Sequence, residues 1–155
     1  MTTIRRKIVE DLTTAMKAKD AQKLAVVRML KSRMMEAEVD CRAEKGAGYE
    51  LSDDEATTVI AAYAKQRRDS IDAYVQAGRT DLADKERAEL AIIQEYLPAQ
   101  LSEQDIRAIV AQAIAESGAA SPKDMGSVMK LVMPKVKGKA DGKLVNQIVL
   151  ELLPK

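Results

Sequence analysis

The 155 residues carry 25 Lys and Arg against 24 Asp and Glu, a net charge of +1. They therefore lack the bulk positive field of a dedicated nucleic-acid binder: a DNA partner is not expected, although a local basic patch is compatible with the balance. Histidine is absent and cysteine occurs once, as Cys41, which excludes Ser–His and Cys–His nucleophile pairs, a cysteine-rich zinc site and an internal disulfide. No stretch reads as a signal peptide or a membrane span, so the sequence points to the cytoplasm.

A chain of this size buries roughly 68–70% of its unfolded surface. With no Phe, no Trp and four Tyr, the core must come from Ala, Leu, Ile, Val and eight Met, side chains suited to helix–helix packing. The first predicted helix covers about residues 2–19, with Ile4, Ile8, Leu12 and Met16 at helical spacing. Asp20 caps a second, whose face of Leu24, Val27, Leu30 and Met34 runs on to about Ala43, before a break at residues 44–48. Ser52-Asp53-Asp54-Glu55 is a capping box. It opens a third helix with Val59, Tyr63, Ile71 and Tyr74 inward, ending near Gly78. Thr80 starts a fourth, with Leu82, Leu90 and Ile93 inward, which stops at Tyr96-Leu97-Pro98 because proline disfavours helix in the residue before it.

Residues 98–101 form the expected boundary between an N-terminal helical part, residues 1–97, and a C-terminal three-helix bundle, residues 98–155. Ser102 caps the fifth helix, with a stripe of Ile106, Ile109, Val110, Ala113 and Ile114 up to Gly118. Ser121-Pro122 starts a short sixth, lined by Met125, Val128, Met129 and Val132 and terminated by Pro134. Asp141 caps the seventh, in which Leu144, Val145, Ile148, Val149, Leu152 and Leu153 face inward. That last helix is very apolar and is expected in the middle of its bundle. No alternating strand pattern competes, so the fold class is all-α.

Two basic clusters stand out. Lys135, Lys137, Lys139 and Lys143 lie in or beside one loop, and Lys130 is on the turn before it. Lysines supply point charges to a phosphate, glycines allow close backbone approach, and a helix start adds N–H donors. Asp141 opposes an anion at that helix start, and the spacing is not that of a nucleotide-triphosphate loop. From spacing alone the plainer reading is a solvated connector. The second cluster is Lys65, Arg67 and Arg68, with Arg79 further along. Lys65 and Arg68 share a helix face, Arg67 points elsewhere, and Asp69 and Asp72 are within pairing reach. A salt-bridged exposed helix is the plainer reading here, and contact with an RNA backbone the functional one.

Little else invites chemistry. Tyr63, Tyr74 and Tyr96 fall on apolar stripes, where they are more often core than base-stacking platforms. Asp53-Asp54-Glu55 could resemble a magnesium site, but compensation of its own helix dipole explains it fully. Glu36 and Glu38 lie on different faces, which does not suit paired acid–base work. Cys41 has no histidine to activate it. No catalytic, cofactor-binding or metal-ligating residue is assigned.

Three stretches carry a family likeness: Lys65-Gln66-Arg67-Arg68-Asp69-Ser70 through Ala77-Gly78-Arg79 to Leu82; Tyr96-Leu97-Pro98-Ala99-Gln100-Leu101-Ser102; and Asp124-Met125-Gly126 through Met133-Pro134-Lys135-Val136-Lys137-Gly138 to Ala140-Asp141-Gly142-Lys143. The chain resembles the GatB/YqeY family, stand-alone YqeY-like proteins related to the C-terminal tail of the B subunit of glutamine-dependent aminoacyl-tRNA amidotransferase. Ser127 stands where the pattern has a basic residue after Asp124-Met125-Gly126. The resemblance implies an all-helical, two-part fold. It also implies tRNA contact, because the related tail helps to hold tRNA while chemistry occurs in other domains. Candidate partners are then tRNA and an amidotransferase or aminoacyl-tRNA-related enzyme. The family's association with carbon–nitrogen ligase activity, glutamine serving as amide donor, implies at most an accessory part, since no glutamine-hydrolysing nucleophile is present. A helical protein–protein adaptor using Met29, Met34 and Met35 is the third reading.

Overall fold

The computed structural model describes residues 2–154. Among them there are seven α-helices, one 3-10 turn and no strand, so the all-α reading is borne out. The chain divides into two compact units, Met1–Leu97 and Pro98–Lys155.

The first unit contains α1 (Thr3–Ala18), α2 (Ala21–Lys45), α3 (Asp53–Gln76) and α4 (Thr80–Gln94). The capping signals act where the sequence has them. Asp20 accepts from the Lys23 N–H, and Ser52 and Glu55 complete a reciprocal capping box. Gly78 follows α3 with φ 71°, a left-handed conformation that suits a residue without Cβ. α3 packs along α4 and α1 along α2, while α2 also touches both α3 and α4. Their shared core includes Ile8, Val27, Leu30, Met34, Ile60, Tyr63 and Ile93.

Two details differ from the sequence reading. α2 reaches Lys45, two residues further than expected. Met16 is 54% exposed, while the preceding Ala15 is buried. Each four-residue step turns a helix about 40° past a full circle, so a strict i+4 series drifts off the core; the seven-residue step from Ile8 to Ala15 returns to within about 20°.

The second unit contains α5 (Glu103–Ser117), a 3-10 turn (Pro122–Asp124), α6 (Met125–Val136) and α7 (Gly142–Leu152). Its core is almost wholly aliphatic: Ile106, Val110, Ala113, Val128, Val132, Val136, Val145, Ile148, Val149 and Leu153. Here the structure corrects two expectations. Pro134 does not end α6, which continues to Val136. The proline removes only the N–H that would reach the Lys130 carbonyl, and the helix closes one turn later through Lys137 N–H to the Met133 carbonyl at 3.0 Å. Val136 is buried, which holds that last turn in place. Nor is α7 central: Asn146, Gln147, Leu150 and Glu151 are exposed, and Leu152 is 36% exposed. In a three-helix bundle each helix has one outer face, however apolar its composition.

Candidate nucleic-acid interface

The two basic clusters fall in different units and in different electrostatic settings. In the N-terminal unit, α3 turns Arg67 toward α4. Its Nη1 pairs with Glu86 and, at 2.8 Å, with Glu89; its Nη2 donates to the Tyr63 hydroxyl. The guanidinium also lies over the Tyr63 ring, 5.0 Å from the centroid, with Arg33 5.5 Å from the same ring. Burial works against the charge of Arg67, but the Tyr63 hydroxyl and the two carboxylates outweigh it and hold its pKa above the ordinary value. Arg67 is therefore not available to a phosphate. It ties α3 to α4. Lys65 is exposed but pairs with Asp69 at 3.8 Å, and Arg79 pairs with Asp81 at 3.2 Å. Arg68 is half-buried. The salt-bridged helix describes most of this cluster.

The C-terminal unit is different. Lys130, Lys135, Lys137, Lys139 and Lys143 are all exposed, and none takes part in an ion pair among the described residues. Lys135 is in the last turn of α6, Lys137 caps it, Lys139 follows in the loop, and Lys143 is in the first turn of α7. Lys135 and Lys137 sit at the negative end of α6, where cations are favoured. Lys130 is about 140° round the helix from Lys135 and belongs to a different face. The backbone beneath the lysines is tightly bonded. The Val136 carbonyl accepts from Lys139 N–H at 2.8 Å and Ala140 N–H at 3.1 Å, and Gly138 has φ 73°. Asp141 Oδ1 accepts from Lys143 N–H at 3.1 Å. The start of α7 is thus capped by its own carboxylate, and any anion would meet the lysine side chains and not helix N–H groups.

Several important residues escaped the sequence reading because their partners are remote in the chain. Asp53 accepts from Thr3 N–H at 3.2 Å and Ile4 N–H at 3.0 Å, so the first residue of α3 caps α1 from 49 or 50 positions away. The Ile4 N–H foremost holds the Asp53 carboxyl below its ordinary pKa. Glu38, 3% exposed, pairs with Arg5 and accepts from Leu51 N–H at 3.1 Å. Glu55, beyond its capping role, binds Lys45 at 2.7 Å and the Tyr49 hydroxyl, which hold its carboxyl down to about 2. The Tyr96 hydroxyl donates to Asp11, and Lys7 lies 4.0 Å above the Tyr96 ring. Cys41 is half-buried. Among the described residues no three Cys, Asp or Glu side chains gather as a metal site.

Fold and site together define an all-α, two-unit protein whose smaller unit carries four exposed lysines, 135, 137, 139 and 143, in and beside one loop, none of them in an ion pair among the described residues. The chain belongs to the YqeY-like family: the family described as Yqey-like protein matches residues 5–153, in agreement with the resemblance carried by the three motifs. Similar proteins named "Altered inheritance of mitochondria protein 41, mitochondrial" occur in several yeasts. That of Eremothecium gossypii is 36% identical over 90 residues, covering 58% of this chain and 46% of the relative. That of Vanderwaltozyma polyspora is 37% identical over 91 residues, covering 57% and 45%. That of Lachancea thermotolerans is 32% identical over 116 residues, covering 73% and 59%. The chain spans about half the length of the curated relatives it matches. The names of these relatives are mitochondrial and lend no support to the cytoplasmic expectation. Among the described residues no helix is long and apolar enough to cross a membrane.

Proposed function

We propose that the chain is a non-catalytic helper module that engages tRNA, or an enzyme carrying tRNA, through the lysine edge of its C-terminal unit. The observation that carries this reading is the set of four exposed lysines at positions 135, 137, 139 and 143, on a loop whose backbone is internally bonded and whose ammonium groups lack carboxylate partners among the described residues. Unpaired cations on a held backbone suit a repeating anion better than a single small one. Lys65 and Arg68 are secondary contributors, and Arg67 is left out. The reading needs only an aqueous compartment that contains tRNA, and the cytoplasm and the mitochondrial matrix both meet that need. An accessory role beside a carbon–nitrogen ligase that uses glutamine as amide donor is the specific form the resemblance suggests. Amidation of mischarged tRNA would then respond when this protein is added to the other subunits.

The direct test is titration of a labelled tRNA at several salt concentrations. Four lysine–phosphate contacts imply a slope of log affinity against log salt of about −3. Charge reversal in the double variant Lys137→Glu, Lys139→Glu should weaken binding at least tenfold at low salt and flatten that slope. A wild-type chain without salt-sensitive binding would end this reading.

A second reading, a helical adaptor, has one observation in its favour. Met35 and Val39 of α2 are 51% and 58% exposed, and Met29 is also exposed. Met34, expected on that face, is instead buried in the core of its unit. Capture of a protein partner that survives nuclease treatment and is lost in Met35→Lys would favour this alternative.

A further inference from the structure

We propose that Gln100 is a positioning residue, whose carboxamide straps the lysine loop into the shape that meets a phosphodiester backbone; the inference rests on the tRNA reading above. Gln100 is exposed and lies just ahead of α5. Its Nε2 donates to the Pro98 carbonyl and to the Gly138 carbonyl, each at 2.9 Å. The next residue continues the strap, with Leu101 N–H donating to the Lys139 carbonyl at 2.8 Å. Two consecutive residues thus bond to two consecutive carbonyls of the loop, across 38 positions of sequence.

On its other side the loop is closed by the Val136 carbonyl, which accepts from Lys139 and Ala140 N–H. The backbone is therefore held from both directions while the lysine side chains remain exposed. Holding it opposes a physical tendency: Lys135, Lys137 and Lys139 repel one another, and a loose loop would splay them. Fixing their attachment points before binding removes an ordering cost that would otherwise be deducted from affinity. Because Gln100 is neutral, the strap adds no counterion release. It should change affinity without changing the salt dependence. That separation distinguishes positioning from charge.

The test uses the full chain, a fluorescein-labelled tRNA transcript and backbone amide hydrogen exchange. The variants are Gln100→Ala and Gln100→Met, the second keeping length without a donor. Gln104→Ala is the control, an exposed glutamine on α5 without a side-chain hydrogen bond among the described residues. Both Gln100 variants should bind about three- to tenfold more weakly than wild type. Their salt slope should be unchanged, and exchange at the Lys139 and Ala140 amides should be faster. The control should match wild type in all three measurements. Unchanged exchange would overturn the strap itself. Faster exchange with unchanged affinity would overturn its connection to binding. A wild-type chain that does not bind the transcript would overturn the tRNA reading and the binding half of this inference with it, while the exchange data still decide whether Gln100 holds the loop.

Discussion

The two units use charge in opposite ways. In the N-terminal unit charged side chains cross between helices: Arg5 of α1 to Glu38 of α2, Arg67 of α3 to Glu86 and Glu89 of α4, and Asp53 at the start of α3 to the first amides of α1. In the C-terminal unit the cross-helix ion pair among the described residues is Arg107 with Glu151, which is exposed, and the core is built from Val, Ile, Ala and Leu. The lysines in and beside the loop between α6 and α7 take no part in joining these helices and remain available to an outside anion. Counting basic residues finds both clusters, whereas only partner geometry separates the structural one from the free one.

Breaking a cross-helix pair should cost the N-terminal unit most. Glu38→Ala leaves a partly buried guanidinium and the Leu51 amide without their acceptor. It should destabilise the N-terminal unit by about 3 kcal/mol. All four tyrosines lie in residues 1–97, so tyrosine fluorescence during urea denaturation reports on that unit alone. A loss below about 1 kcal/mol would break the contrast between the units.

Acid should act next. The carboxyls of Asp11, Asp53, Glu55 and Asp81 are all held below their ordinary values, and all belong to the N-terminal unit. A carboxyl depressed in the folded state stabilises it fully above the unfolded pKa, and that contribution disappears as pH falls through the folded value. For Glu55 the window runs from about 4.5 down to about 2. The tyrosine-detected midpoint in urea should therefore fall progressively through this range. Glu55→Gln should flatten the dependence, and a midpoint insensitive to pH there would contradict the assignment.

The smallest effect sharpens the division between the two basic clusters. Lys65→Glu, which exchanges an exposed and already paired lysine, should change tRNA affinity less than about threefold, against at least tenfold for the double reversal at Lys137 and Lys139. Equal losses in the two would place the α3 surface in the interface and erase the distinction.

The features legible in the chain alone are local. Helix starts at Ser52, Ser102 and Asp141 and stops at Gly78 and Gly118 were legible because caps and left-handed glycines act within a few residues of themselves. The family motifs were legible for the same reason, being contiguous strings. Tertiary structure decided what depends on distant partners. It turned Arg67 toward two glutamates of another helix, gave Asp53 the amides of α1, and set Gln100 against Gly138. It also exposed Met16 and Leu152, which the sequence stripes had turned inward. Helical periodicity shows which residues share a face, but packing alone decides which face meets another helix, and whether a charge there finds a partner.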